Sequence, residues 1–286
     1  MLSKWSGDAE NAFFSSEKID KHRVLLQAEW EFTARSSRQA YYVLGVDVGR
    51  FECTTEVCVF KVTPQPNGAA IKSLVNIFTY DAEHFEEQAI NIKRLYFKYK
   101  ARVVAIDGNG VGAGLVDFLV IGQVDPETLD ELPPFGVMND DDGKYRKQRT
   151  VNTVHDALYI IKANAPMNTE MYSYAKVQLT NGKVKLLIDE QTAKLKLLST
   201  KAGQALPPDR RAEYLRPFVL TTVLREQLLN LVEENEGINI ILKQSVRKIL
   251  KDKASAFFYG LYFIKLQEDQ QRNRRKFKIQ DLLMMN

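Results

Sequence analysis

The stretch from Tyr41 to Asp107 constrains this chain more than any other part of it. YYVLGVDVG, TTEVCVFKVTP and AAIKSLVNIFTY are successive runs rich in β-branched and aromatic residues, separated by short polar turns, the last introduced by Pro66-Asn67-Gly68. Connections this short predict an antiparallel meander. Phe85, Ala89, Ile92, Tyr96 and Tyr99 then recur at spacings of four, three, four and three, the apolar face of a helix, with Lys93, Arg94, Lys98 and Lys100 at other positions. ARVVAID follows as a short apolar strand bounded by Gly108, and the stretch from Gly112 to Val120 reads as a helix that starts in glycines. The order β-β-β-α-β-α predicts an α/β fold with a mixed sheet.

Further along, Leu158 to Ile161 is an apolar strand after a polar stretch from about 121 to 152, and KVKLLID at 183–189 is another strand. A helix is expected from about Pro217 to Glu234, with Leu224, Leu228, Leu231 and Val232 on one face. INIILKQ is a late strand, and a final helix from Asp252 to about Glu268 carries Phe257, Phe258, Leu261 and Ile264. Residues 1 to about 40 are polar apart from Ala12, Phe13 and Phe14, and read as an appended linker. The domain proper is then 41–286.

With 286 residues, 45% of them hydrophobic and 27% charged, the chain can bury a core of ordinary soluble type. No apolar run approaches the roughly 20 residues of a membrane span, and the start lacks the apolar core of a secretory signal. Two cysteines, Cys53 and Cys58, make no disulfide framework, so a reducing compartment is expected. The net charge of +4 permits a nucleic-acid partner without requiring one. Basic residues crowd two places: Arg272, Arg274, Arg275, Lys276 and Lys278 in the tail, and Lys243, Arg247, Lys248, Lys251 and Lys253 before the last helix. Solvated faces are the plain reading of both runs.

Asp47 lies in the first strand, in GVDVG, and Asp107 ends the buried strand in AIDGNG. Ligand sites of open α/β sheets gather at strand ends, and a carboxylate in an apolar strand is costly unless paired or bound to metal. Taken singly, either is an ordinary turn residue, and Asp252 in LKDKASAFF is a ready helix N-cap. Taken together, the first strand, the fourth strand and a late helix are the positions from which a ribonuclease H-like fold brings acidic groups to one face.

GVDVG, AIDGNGVGAGLVDFL and KDKASAFFYGLY resemble the three acidic motifs of viral large terminase nuclease domains. LLIDEQTAKLKL and LRPFVLTTVLREQLLNLV resemble that family's later sequence, and WSGDAENAFF resembles the segment joining its packaging ATPase to the nuclease. The likeness covers about residues 41 to 268. It implies a ribonuclease H-like mixed sheet flanked by helices, with an extended C-terminal half. It also implies a metal-dependent endonuclease that cuts double-stranded DNA with little sequence specificity, in the cytoplasm of a bacterial host. Asp47, Asp107 and Asp252 would hold two divalent ions, Mg²⁺ or Mn²⁺, suited to hard oxygen ligands. Arg50, Lys251 and Lys253 are candidate phosphate contacts that read no bases. The partners implied are a portal protein, a small terminase subunit and an upstream ATPase domain. Some relatives carry a histidine a turn before the third acid, where this chain has Ile249, so a fourth ligand is not assigned.

Rival signals are weaker. Gly108-x-Gly110-x-x-Ala113 meets the relaxed dinucleotide pattern but follows a meander rather than opening a βαβ unit. GVDVG has no second phosphate motif of the actin-like ATPases behind it. The Asp140-Asp141-Asp142-Gly143 run lacks calcium-loop spacing. Gly182-Lys183 and Gly143-Lys144 are followed by Val and Tyr, so the chain has no phosphate loop and no ATPase activity is expected of it. A junction resolvase or transposase-like nuclease of the same fold, and a non-catalytic docking module for portal or small terminase, are the alternatives that assays must separate.

Overall fold

The structure is a computed structural model that describes residues 12–33, 40–49, 54–66, 69–81, 84–150 and 152–284. The elements run α1 (Ser16–Asp20), β1 (Arg23–Leu25), β2 (Tyr41–Asp47), β3 (Thr54–Thr63), β4 (Ile71–Asp81), α2 (Phe85–Tyr99), β5 (Val103–Asp107) and α3 (Val111–Leu119). Short strands β6 (Gln123–Val124), β7 (Glu131–Leu132) and β8 (Phe135–Val137) lead to β9 (Val154–Ile161), α4 (Ala165–Thr180) and β10 (Val184–Leu187). The remainder is α5 (Glu190–Leu198), α6 (Lys201–Ala205), α7 (Pro208–Leu229), the hairpin β11 (Leu231–Glu236) and β12 (Asn239–Gln244), and α8 (Asp252–Met284).

Eight strands form one sheet in the order β1-β10-β4-β3-β2-β5-β9-β8. β3 pairs antiparallel with β2 and β4, and every other pairing in this sheet is parallel. The middle five, β4-β3-β2-β5-β9, have the order of a ribonuclease H-like sheet, with the expected meander opening it. Strand alternation sorts the side chains between two faces. Val43, Phe60, Val103 and Ala105 pack with Phe257 and Leu261 of α8, Ala175 of α4 and Leu224 of α7. Their neighbours Tyr42, Leu44, Val59, Val104 and Ile106 pack with Ile92 and Tyr99 of α2 and Leu115 of α3. Both faces are therefore covered, which is why β2, β3 and β5 read as nearly continuous apolar runs.

Several expectations need correction. The helix placed at Pro217 to Glu234 starts nine residues earlier, at Pro208, and LVEENE is a strand, paired along its length with β12. Pro217 sits inside that helix. α4, α5 and α6 carry weak or short apolar stripes and escaped the periodicity reading. The described part of the first forty residues is not loosely appended. Phe13 and Phe14 are buried in the core, and β1 extends the sheet beside β10. Glu29 accepts a hydrogen bond from Lys61 Nζ at 2.7 Å and another from the Tyr42 hydroxyl. Lys93 is fully buried, its Nζ donating to Ile121 O at 2.6 Å.

Candidate metal and nuclease site

β2, β5 and β9 are parallel, so their C-terminal ends lie at one edge of the sheet. Asp47 closes β2 and Asp107 closes β5, where Asp107 pairs with Ile161 of β9. Asp252 arrives from the other direction, at the first residue of α8. What brings it there is a glycine-to-glycine approach. A Cβ on Gly45 would collide with Ala256 O and lie 2.6 Å from Gly260 N, and one on Gly260 would lie 2.6 Å from Phe60 Cε2. α8 therefore lies directly against β2 and runs antiparallel to it, with the Phe257 ring packed at a tilt against Phe60 at 5.6 Å and Phe263 likewise against Tyr159 at 5.4 Å. Followed back from Gly260, two helical turns lead to Asp252 at the level of Asp47.

The electrostatics bear this out. Burial first, then the charges of Asp252 and Asp107, hold the Asp47 carboxyl well above the usual carboxylate range; Lys251 partly offsets them and Glu56 adds to them. Burial also raises Asp107, tempered by the Asn109 backbone N–H, which donates to Asp107 Oδ1 at 3.0 Å. Asp252 is raised by burial and then by Glu56, with Lys253 and Lys251 opposing. The mutual repulsion falls mainly on Asp47, the most enclosed of the three. Even so, among the described residues no group of three or more His, Cys, Asp or Glu side chains is placed to hold a metal ion as it stands.

The candidate phosphate contacts fare differently from one another. Lys251 is exposed, and its charge reaches both Asp47 and Asp252. Lys253 is only 7% exposed, and its ammonium is 2.6 Å from Glu56 Oε1, so it faces inward and is not available to a phosphate. Arg50 lies outside the described residues. The turn after Asp47 is tied down by Thr55, whose Oγ1 accepts from Gly49 N at 2.9 Å, and by Gln88 Nε2, which donates to Gly49 O at 3.2 Å.

Two neighbours of the aspartates were not singled out from sequence. Glu56, fully buried, pairs in register with Asp47 across the β2–β3 hairpin. The signal available was an acid inside the apolar run TTEVCVF, which demands a partner. Tyr259 is the other: it is seven residues after Asp252, hence on the same helix face, and its phenol is pushed upward by burial and then by Asp47 and Asp107. In the sequence it lies within KDKASAFFYGLY with nothing local to mark it apart from its apolar neighbours.

The fold is a ribonuclease H-like α/β sheet with Asp47 and Asp107 at the ends of neighbouring parallel strands. No protein-family model matches it, and no curated protein does. Among solved structures it is similar to the magnesium-bound large terminase nuclease of thermophilic phage G20c, at 14% identity over 88% of this chain and 97% of that one, with a TM-score of 0.46. It is also similar to the nuclease domain of the large terminase subunit gp2 of bacterial virus Sf6, at 11% identity over 88% and 97%, with a TM-score of 0.42. The HK97 bacteriophage large terminase is similar at 13% identity, the match covering 88% of this chain and 43% of that chain, with a TM-score of 0.37. The G20c nuclease has also been solved with cobalt and with zinc bound.

Proposed function

We propose that this chain is a metal-dependent endonuclease that cuts double-stranded DNA with little sequence specificity, as the nuclease part of a viral DNA-packaging terminase. The observation that carries the reading is the placement of Asp47 and Asp107 at the C-terminal ends of the neighbouring parallel strands β2 and β5, with Asp252 opening the helix α8 that lies against β2. The terminase setting rests on the motifs GVDVG, AIDGNGVGAGLVDFL and KDKASAFFYGLY. The donor set suits a hard divalent cation: three oxygen ligands whose charges oppose each other until a cation joins them. Asp47, Asp107 and Asp252 would hold two such ions, Mg²⁺ or Mn²⁺, which supply Lewis-acid stabilisation of charge on the attacking and leaving oxygens of a phosphodiester.

The chain's own groups do the rest. The Asn109 N–H fixes the Asp107 carboxylate. Lys251, exposed beside Asp252, offers a backbone phosphate a contact that carries no sequence information, and Arg50 is assigned the same role. A portal protein, a small terminase subunit and an upstream ATPase are the partners this reading brings with it, in the cytoplasm of a bacterial host. Among the described residues no helix is long and apolar enough to cross a membrane. The test is plasmid cleavage with Mg²⁺, with Mn²⁺ and with chelator. Linearisation of duplex DNA that stops with chelator supports the proposal. Cleavage confined to branched DNA would favour a junction resolvase, and no cleavage with either metal would favour a docking role.

A further inference from the structure

Glu56 and Lys253 are among the most enclosed charges in the molecule, and they lie beside the proposed metal ligands. Glu56 is fully buried and Lys253 nearly so, with Nζ 2.6 Å from Oε1. Both Glu56 oxygens are engaged: Thr54 Oγ1 donates to Oε1 at 2.8 Å and Thr79 Oγ1 to Oε2 at 2.8 Å. Glu56 is thus held by three donors, Thr54 and Lys253 on Oε1 and Thr79 on Oε2. Its place is specific, since it lies opposite Asp47 in the hairpin while its partner follows Asp252 in the chain. The pair joins β3 to the first turn of α8. In that same turn, Ala254 N donates to Gln227 Oε1 of α7 at 3.1 Å.

We infer that the Glu56–Lys253 ion pair is a positioning device for the acidic site: it pins the first turn of α8 so that Asp252 reaches Asp47, while its two charges offset each other toward an incoming divalent cation. A buried ion pair is a poor way merely to gain stability, because well-packed apolar residues of like volume often serve as well or better. Next to three carboxylates, its two halves have opposite effects. Glu56 adds negative charge that favours a cation, and Lys253 cancels it. The pair as a whole is therefore neutral toward the site while its geometry is fixed. This inference rests on the metal-dependent reading above.

The experiment measures Mn²⁺ affinity by calorimetry in Glu56→Gln, Lys253→Met and the double variant. Glu56→Gln should weaken Mn²⁺ binding by at least about tenfold, because the lost carboxylate charge no longer attracts the cation. Lys253→Met should move affinity the other way. The double variant, which buries no uncompensated charge, should fold, bind Mn²⁺ within about threefold of the parent and still cleave more slowly at unchanged KM for plasmid. A purely structural pair would not give opposite shifts. Both singles weakening affinity alike, or a double variant that cleaves at the parental rate, would overturn the inference. If the singles do not fold, the double variant alone decides it. If the parent binds no Mn²⁺, the metal reading fails separately, and hydrogen exchange at residues 252–256 judges the pair. Loss of protection there upholds the pinning, and unchanged protection ends it.

Discussion

If the proposed nuclease reading holds, Asp107, Asp47 and Asp252 act together on the same metal ions, and each variant below tests that. Asp107→Asn keeps shape and removes charge, so it should abolish metal-dependent cleavage while DNA binding is kept or improved, as a negative charge facing phosphate has gone. Gel-shift and plasmid assays on the same preparation check this. Asp252→Asn should do likewise. Were Asp252 only a helix cap, its loss would cost about 1 kcal/mol of stability and leave cleavage near parental levels. Double aspartate variants should be little worse than singles. Tyr259→Phe removes a hydroxyl from beside Asp47 and Asp107 and leaves the ring in the core. It should lower kcat on plasmid while leaving Tm within a few degrees of the parent, since the packing of the ring is kept. An unchanged kcat would make Tyr259 a packing residue only.

At the scale of elements, α8 is seated by Gly45 and Gly260. Gly45→Ala would drive a methyl group into the Ala256 carbonyl, where backbone rather than a flexible side chain must yield. Overpacking of this kind costs about 1–3 kcal/mol, and the displaced helix takes Asp252 with it. The variant should therefore lose cleavage by a larger factor than its loss of Tm would suggest; melting and cleavage measured together test that. α2 carries a different tension. Lys93 is buried from a helix whose other lysines suggested a solvated face, and burial lowers its pKa to about 8 from an ordinary 10.5. The folded state then holds fewer protons than the unfolded chain between those two values, so stability should rise with pH across that window and carry its full cost below it. Lys93→Met should flatten this rise by about 3 kcal/mol between pH 8 and 10.5, seen in urea melts of parent and variant. Parallel curves for the two proteins would show that Lys93 is not the group responsible.

For the whole molecule, the segment from Ala12 to Thr33 is part of the fold, through Phe13, Phe14, Ile19 and strand β1. A chain begun at Tyr41 should lose roughly 5 kcal/mol or more, from the burial of these three large apolar side chains alone. A truncated chain with parental Tm would return the segment to the role of a linker. DNA affinity should fall steeply with salt, each neutralised phosphate adding about −0.9 to the log–log slope for duplex DNA. Lys251→Ala should reduce that slope by about one, alike for all sequences, in salt titrations of binding.

Local pattern was enough for the β-β-β-α-β-α core, because strands buried on both faces and a helix with one apolar face leave strong periodic signals. It was enough, too, to draw attention to Asp47 and Asp107, since an acid in or at the end of an apolar strand stands out against its neighbours, whereas Asp252 alone reads as a helix cap and is a candidate only together with them. It was not enough for Lys93, Glu56 or Lys253. Whether a charge is solvated or enclosed depends on what packs over it, and those partners come from distant stretches: Ile121 for Lys93, and residues nearly two hundred positions apart for the Glu56–Lys253 pair. β11 is hidden in the sequence for a related reason, as LVEENE has no strong period and only pairing with β12 makes it a strand. The approach of α8 to β2, through which the charge of Asp252 bears on Asp47, belongs wholly to tertiary structure. It depends on two glycines, unremarkable in sequence, whose missing side chains let a helix lie directly against a strand.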